Sequence, residues 1–283
     1  MNKLQLTLRL VLVLVSVYLA ACLFLFFQQP RFIFFPSSII EKTPKFYSLD
    51  YEEVWIPVAT ASGNVEKIHS WWIPASQPNS KVLLYLHGNS TNIGANVAHA
   101  HRFQQLGFSV LLIDYRGYGQ SEGGFPRETT VYQDAAAAWN YLVKQREVSP
   151  QQIFIYGHSL GGAIAIDLAV KHPEAAGLIV ESSFTSVQQM VEYQGHFRIF
   201  PVNLLLTQRF NSLKKVPLLK MPVLFIHGLS DSTIPFTMSK QLYAAASEPK
   251  KLVLVPGAEH NNVASVAPAL FTSAVQEFVL KRE

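Results

Sequence analysis

Gln152-Ile153-Phe154-Ile155-Tyr156-Gly157-His158-Ser159-Leu160-Gly161-Gly162-Ala163-Ile164-Ala165-Ile166-Asp167-Leu168-Ala169-Val170-Lys171 is the stretch on which the reading of this chain turns. Gln152 to Tyr156 has the β-branched and aromatic character of a short buried strand. Leu160 to Lys171 is helix-length and is stopped by His172-Pro173, because proline disfavours helix at the residue before it. A G-x-S-x-G sequence therefore sits where a strand turns into a helix. The serine of such a turn is held in a strained conformation that lifts its hydroxyl off the sheet, while flanking glycines let strand and helix approach closely. A glycine-rich turn with a serine N-cap is the plain alternative, and the flanks favour Ser159 as a nucleophile.

Working outward, apolar runs bounded by turn residues alternate with amphipathic stretches, the pattern of an α/β fold with a mostly parallel sheet flanked by helices. Strands are predicted at Tyr51 to Val58 and Lys67 to Ile73, a hairpin around Ser62-Gly63-Asn64, then at Lys81 to Leu86 and Phe108 to Ile113. Later strands are expected at Leu178 to Val180, Val223 to Ile226 and Leu252 to Val255. Helices are expected at Ala95 to Gln105, Glu128 to Arg146, Pro235 to Ala246 and Pro268 to Lys281. The alternation lapses at about 186–215, where apolar Ile199, Phe200, Val202 and Leu204 to Leu206 suggest an inserted lid; Phe200 and Leu204 to Leu206 suggest a lipophilic acyl site, with a packed lid or a membrane-facing surface as the alternatives.

A serine hydroxyl needs a base, and the base needs an acid to fix its tautomer. Asp231 follows the strand Val223 to Ile226, and His260 lies just beyond the last strand, so the chain order Ser159, Asp231, His260 is that of an α/β hydrolase. Glu181, also at a strand end, competes for the role of acid. His158 is expected to point away from the Ser159 hydroxyl, and His87 and His227 read as hydrogen-bonded packing residues. The oxyanion needs two donors, and the amides of Leu160 and of Asn89, in His87-Gly88-Asn89-Ser90, are the candidates; a simple turn is the alternative at Gly88-Asn89. Asp114 and Arg116 read as local pairing and capping groups.

Composition bounds the rest. Of 283 residues, 49% are hydrophobic and 15% charged, which excludes a disordered chain, and one large domain accounts for the length after the first residues. Net charge is +4 and the densest basic group, Lys214, Lys215 and Lys220, reads as a solvated surface, so a nucleic-acid partner has no support. One cysteine, Cys22, excludes an internal disulfide, and no histidine spacing suggests a metal. Neither metal nor organic cofactor is expected.

Leu10 to Phe27 carries no charge and is long enough to approach the span of a ~30 Å hydrocarbon core. Lys3 and Arg9 before it favour a single-pass anchor with the domain on the non-cytoplasmic side, although Arg31, Lys42 and Lys45 reduce the asymmetry. Leu19-Ala20-Ala21-Cys22 resembles a bacterial lipobox, so a lipoprotein anchored at Cys22 is the alternative, with plain secretion behind it. The expected division is a membrane segment at 1–28 and a catalytic domain at 29–283, with Gln28 to Ser38 as an interfacial joint.

His87-Gly88-Asn89 with Asn92-Ile93-Gly94, then Asp114-Tyr115-Arg116-Gly117-Tyr118-Gly119 with Ser121-Glu122-Gly123, then Gly157 to Gly162, together resemble the membrane-anchored α/β-hydrolase domain-containing protein 13 and 17 group and its bacterial relatives. The resemblance runs from the anchor through His260. It implies an eight-stranded α/β-hydrolase fold, no metal, and the triad Ser159, Asp231 and His260. The cysteine-rich lipidated N-terminus of the type 17 members, which are protein depalmitoylases, is absent. The expected activity is hydrolysis of an ester or thioester of a small or lipid-like acyl substrate at a membrane. A serine peptidase and a non-catalytic binding module are the alternatives.

Overall fold

In a computed structural model, residues 2–60, 62–77 and 80–280 are described. A helix, α1 (Lys3–Ile33), leads into the α/β domain. Eight strands follow: β1 (Glu52–Ala59), β2 (Val65–Ile73), β3 (Val82–Leu86), β4 (Ser109–Ile113), β5 (Ile153–His158), β6 (Gly177–Glu181), β7 (Val223–Gly228) and β8 (Lys250–Val255). They form one sheet in the order β8-β7-β6-β5-β3-β4-β2-β1, antiparallel at β1–β2 and β2–β4 and parallel elsewhere. This is the eight-stranded, mostly parallel arrangement expected from the sequence, including the hairpin.

The helices are α2 (Val97–Gln105), α3 (Glu128–Lys144), α4 (Leu160–Lys171), the short lid helices α5 (Val187–Gln194), α6 (Val202–Leu205) and α7 (Ser212–Lys215), then α8 (Thr237–Ala245), α9 (Val263–Val266) and α10 (Pro268–Leu280). The predicted end of the last helix at Lys281 lies outside the described residues. Period-2 alternation divides the core between the sheet's two faces. Leu84 and Leu86 of β3 pack with Ala135 of α3 and Ile164 of α4, while Leu83 and Tyr85 join Phe103 of α2 and Phe271 of α10. Because both faces are covered, the central strands are apolar throughout rather than alternating.

The junction of β5 and α4 is closely packed. A Cβ on Gly161 would stand 2.0 Å from the Leu86 carbonyl oxygen, and one on Gly157 would stand 2.2 Å from the Gly161 carbonyl oxygen. Only hydrogen fits at either place. Lys215, expected in a solvated basic patch, instead turns inward, donating at 2.6 Å to Asp167 Oδ1 and at 3.0 Å to the Tyr132 hydroxyl. A buried carboxylate within reach outweighs hydration for a long, flexible ammonium.

α1 runs past the expected boundary at residue 28, through Pro30, to Ile33. A proline inside a helix leaves the carbonyl four residues earlier without its donor. Here that carbonyl is Phe26 O, and the Gln29 side-chain amide supplies the missing hydrogen bond at 2.9 Å. Gln29 Nε2 also donates to Leu205 O, and its Oε1 accepts from the amide of Thr207 at 2.7 Å. Phe34 then enters the main core, edge-on to Phe210. Gln28 to Ser38, expected as the interfacial joint, comprises the docked end of α1 and a short bridge into the core. Most of α1 before this point is exposed, with Leu4, Leu8, Leu12, Leu19 and Phe27 all facing outward.

Gly161→Ala is expected to lower stability by about 1–3 kcal/mol or more through overpacking. Gly124→Ala, where an added Cβ meets nothing within 4 Å, should change it by less than about 0.5 kcal/mol. Urea denaturation of the detergent-solubilised chain checks both.

Candidate active site

Ser159 occupies the turn between β5 and α4 with φ 56° and ψ −121°, a conformation rarely adopted by a residue with a side chain. The turn is held from several sides. The Ser159 amide donates to Glu181 O at 2.9 Å, and the Ser159 carbonyl accepts from the Ser183 hydroxyl at 2.8 Å and the Gly162 amide at 3.0 Å. These bonds fix the strained backbone and leave the side chain facing the loops beyond the strand ends.

Two of those loops bring the other predicted residues to it. His260 Nε2 lies 3.0 Å from Ser159 Oγ, and His260 Nδ1 donates to Asp231 Oδ2 at 2.7 Å. Asp231 follows β7 and His260 follows β8, so adjacent parallel strands deliver both side chains to one end of the sheet. Asp231 is saturated with donors: Oδ1 accepts from the amides of Thr233 at 2.9 Å and Ile234 at 2.8 Å, and Oδ2 also faces His227 Nε2 at 3.1 Å. Burial pushes its carboxyl up, but hydrogen bonds from His227, His260 and Ile234 outweigh that and hold it well below the usual carboxylate range. An anion fixed in this way orients the imidazole through its Nδ1–H.

The loop His87 to Ser90 passes close to Ser159. A Cβ on Gly88 would stand 3.5 Å from Ser159 Cβ. Leu160 is the first residue of α4, so its N–H has no acceptor within the helix. Asn89 uses its side chain to donate to Ile33 O at 2.8 Å and its carbonyl to accept from Phe35 N and the Tyr118 hydroxyl. The end of α1 therefore holds the loop that carries Asn89.

The competing residues are elsewhere engaged. Glu181 accepts from the Tyr156 hydroxyl at 2.8 Å and makes no hydrogen bond to His260. His227 is buried, with Nδ1 at 2.7 Å from the Ser239 hydroxyl, and Asp231 is among its contacts, a support that sequence spacing does not reveal. His87 faces Asp114 at 3.2 Å, while Arg116 binds Asp134, Glu66 and Gln133, so Asp114 and Arg116 serve separate buried networks. His158 points away from the hydroxyl but has a part of its own: its Nε2 donates to the His260 carbonyl at 3.0 Å. Burial lowers the His158 imidazole to about 4, which keeps it neutral near pH 7 as it braces the His260 loop. Its position beside Ser159 in sequence is the only signal that could have suggested this.

Ser159, Leu160, Asn89 and His260 line a cavity of about 640 Å³, within the range of ligand sites. Its walls come from the lid, through Val187, Met190, Phe197, Phe200, Val202 and Leu205, and from α1, through Leu25, Gln29 and Phe32. No Asp, Glu, Lys or Arg lines it among the described residues. Likewise, among the described residues no three His, Cys, Asp or Glu side chains are grouped as metal ligands. The arrangement presents one hydroxyl with an oriented base in a mostly apolar chamber.

Because its carboxyl is held low, Asp231 contributes stability that is present above the unfolded value of about 3.9 and is lost as pH falls through its folded value. The stability difference between wild type and Asp231→Asn, followed by chemical denaturation, should be largest near neutral pH and narrow below about pH 4.

Residues 77–214 match the family described as serine aminopeptidase, S33. The chain is 35% identical over 258 residues to the uncharacterized protein Rv2307c of Mycobacterium tuberculosis, an alignment covering 91% of this chain and 89% of that protein. It is 31% identical over 264 residues to Bem46 of Schizosaccharomyces pombe, covering 87% and 85%. The fold is similar to that of the Pyrococcus furiosus esterase Pf2001, with a TM-score of 0.71 at 22% identity over 88% of this chain and 97% of the esterase. With its sheet order, its strained serine turn and these alignments, the chain belongs to the α/β-hydrolase family that includes Rv2307c and Bem46.

Proposed function

We propose that this protein is a membrane-associated serine hydrolase that cleaves carboxylic ester or thioester bonds through an acyl-enzyme. The observation that carries the reading is the continuous chain Ser159 Oγ, His260, Asp231 at 3.0 and 2.7 Å, with Ser159 and His260 lining the cavity. Ser159 Oγ attacks the acyl carbon as its proton passes to His260 Nε2, and Asp231 orients and stabilises the resulting imidazolium. The N–H groups of Leu160 and Asn89 receive the oxyanion. His260 then protonates the leaving alkoxide or thiolate. A water enters, gives a proton to the same nitrogen, and attacks the acyl-enzyme to release the acid and restore Ser159.

The family's description makes peptide cleavage the second reading. An aminopeptidase must recognise a free ammonium, for which a carboxylate at the site is the natural partner. The uncharged lining of the cavity favours an uncharged acyl substrate instead. An intact α1 serves as the membrane anchor, with the domain on the non-cytoplasmic side. Contacts between Tyr18 and the lid favour retention of the whole helix over processing before Cys22 to give a lipoprotein.

A fluorophosphonate probe should label wild type and leave Ser159→Ala unlabelled. On p-nitrophenyl esters, Ser159→Ala and His260→Ala should lose about 10⁶ in turnover and Asp231→Ala about 10⁴, as in well-studied triads. Aminoacyl p-nitroanilides should be poor substrates; faster turnover of these than of esters would favour the peptidase. Intact mass of the membrane-extracted protein should include residues 2–21, whereas loss of them with lipid on Cys22 would establish the lipoprotein.

A further inference from the structure

α1 is more than a tether. Its face formed by Tyr18, Cys22, Leu25, Gln29 and Ile33 recurs at helical spacing and packs toward the domain, although the sequence there is apolar all round. Tyr18 donates its hydroxyl to Ile199 O at 2.9 Å and stacks on Phe200 with ring centroids 5.7 Å apart; Phe32 meets Phe197 edge-on. Tyr18 stands about 13 Å along the axis from Phe27, the end of the apolar run, at ~1.5 Å per residue. That is close to the depth of one leaflet of a ~30 Å hydrocarbon core. The lid tip, bonded to α1 at Tyr18, thus shares the level of the membrane segment.

The tip has the surface such a place requires. Ile199 is 75% and Leu204 81% exposed, and neither side chain lines the cavity. Exposed apolar side chains at the end of a lid are costly in water and favourable in lipid. The backbone is also provided for: Phe200 N bonds Phe197 O, Leu204 N bonds Pro201 O, Leu206 N bonds Val202 O, and Ile199 O is taken by Tyr18. Irregular chain survives beside lipid only when its polar groups find partners within the protein. On α1 itself, Leu25 lines the cavity while Phe24 and Phe27 face outward, so the cavity wall and the lipid-facing surface are two sides of the same turns.

We infer that the lid tip and the last turns of α1 are seated together in the adjoining leaflet, and that the cavity between them takes its substrate from the bilayer as an uncharged acyl ester of a membrane lipid. The inference rests on the serine hydrolase reading above. The acyl chain lies against Leu25, Phe32, Phe200 and Leu205, and the ester reaches Ser159 without leaving an apolar path. An uncharged head group suits a chamber whose polar lining consists of amides, hydroxyls and histidines.

The test uses the full chain in phosphatidylcholine vesicles. Monooleoylglycerol in the bilayer and p-nitrophenyl acetate in the water are compared for wild type and for Ile199→Asp/Leu204→Asp, with fluorophosphonate labelling of Ser159 reporting an intact site. The double variant should lose at least tenfold on monooleoylglycerol, stay within about twofold on p-nitrophenyl acetate and keep its labelling. Leu204→Trp fluorescence should be quenched by phosphatidylcholine brominated in its acyl chains. Equal effects on both esters with labelling kept, or no quenching, would overturn the inference and leave the hydrolase reading standing. Turnover of an S-oleoyl peptide without turnover of monooleoylglycerol would overturn the lipid assignment, as would faster turnover of oleoyl-lysophosphatidylglycerol than of monooleoylglycerol. Wild type that takes no probe and turns over neither ester would overturn the hydrolase reading and the substrate assignment with it.

Discussion

The absence of side chains at Gly157 and Gly161 is the constraint on which the rest of the molecule depends. With 2.0 Å between a hypothetical Gly161 Cβ and the Leu86 carbonyl oxygen, α4 starts against the end of β3 as well as of β5. That closeness forces the chain to reverse within one residue, which is why Ser159 carries φ 56°. It also leaves the N–H of Leu160, at the start of α4, without an intrahelical acceptor beside Ser159, where a helix N-terminus carries partial positive charge. The strained backbone at Ser159 and the free N–H of Leu160 therefore have one cause. Strain of this kind costs of order 1–3 kcal/mol. The bonds to Glu181 and Ser183 and the burial of Leu160 to Ala169 hold it in place.

A second set of contacts joins three segments far apart in sequence. Gln29 satisfies the Phe26 carbonyl within α1 and reaches the lid at Leu205 and Thr207, while Ile33 O and Phe35 N grip Asn89. Each such bond contributes only about 0.5–1.5 kcal/mol net, but a buried amide left unpaired costs about 1–3 kcal/mol, so partial disengagement is unfavourable. Helix, lid and oxyanion loop are consequently held as a unit around the cavity. What would have been a flexible stalk becomes part of the wall.

Charge is arranged with similar economy around the triad. Asp231 faces four donors, two from its own turn and two from histidines, and His260 is braced through its carbonyl by a neutral His158. His260 is the imidazole within reach of the Ser159 hydroxyl, while His158 and His227 act as supports. Three histidines crowd one region with three separate tasks, set by which atom each has beside it.

Strand identity and order of appearance were legible because eight apolar runs with turn residues between them can satisfy their backbone only in a doubly covered sheet. Ser159, Asp231 and His260 were legible because a chemistry that needs three residue types at the ends of particular strands leaves few candidates. The helix through Pro30 was not, since a proline and two glutamines ordinarily mark an end, and only the fold brings Gln29 beside both the orphaned carbonyl and the lid. Nor were the bracing role of His158 and the second histidine on Asp231, which depend on contacts made after the strands are side by side. By itself the sequence determined the α/β architecture and the apolar N-terminal helix, and it named Ser159, Asp231 and His260, which the fold brings within hydrogen-bond reach, since periodicity, steric need and chemical type are local properties. Only the tertiary structure decided that α1 and the lid close one wall of the cavity, because hydrogen bonds and packing between residues more than a hundred positions apart exist only once the chain has folded.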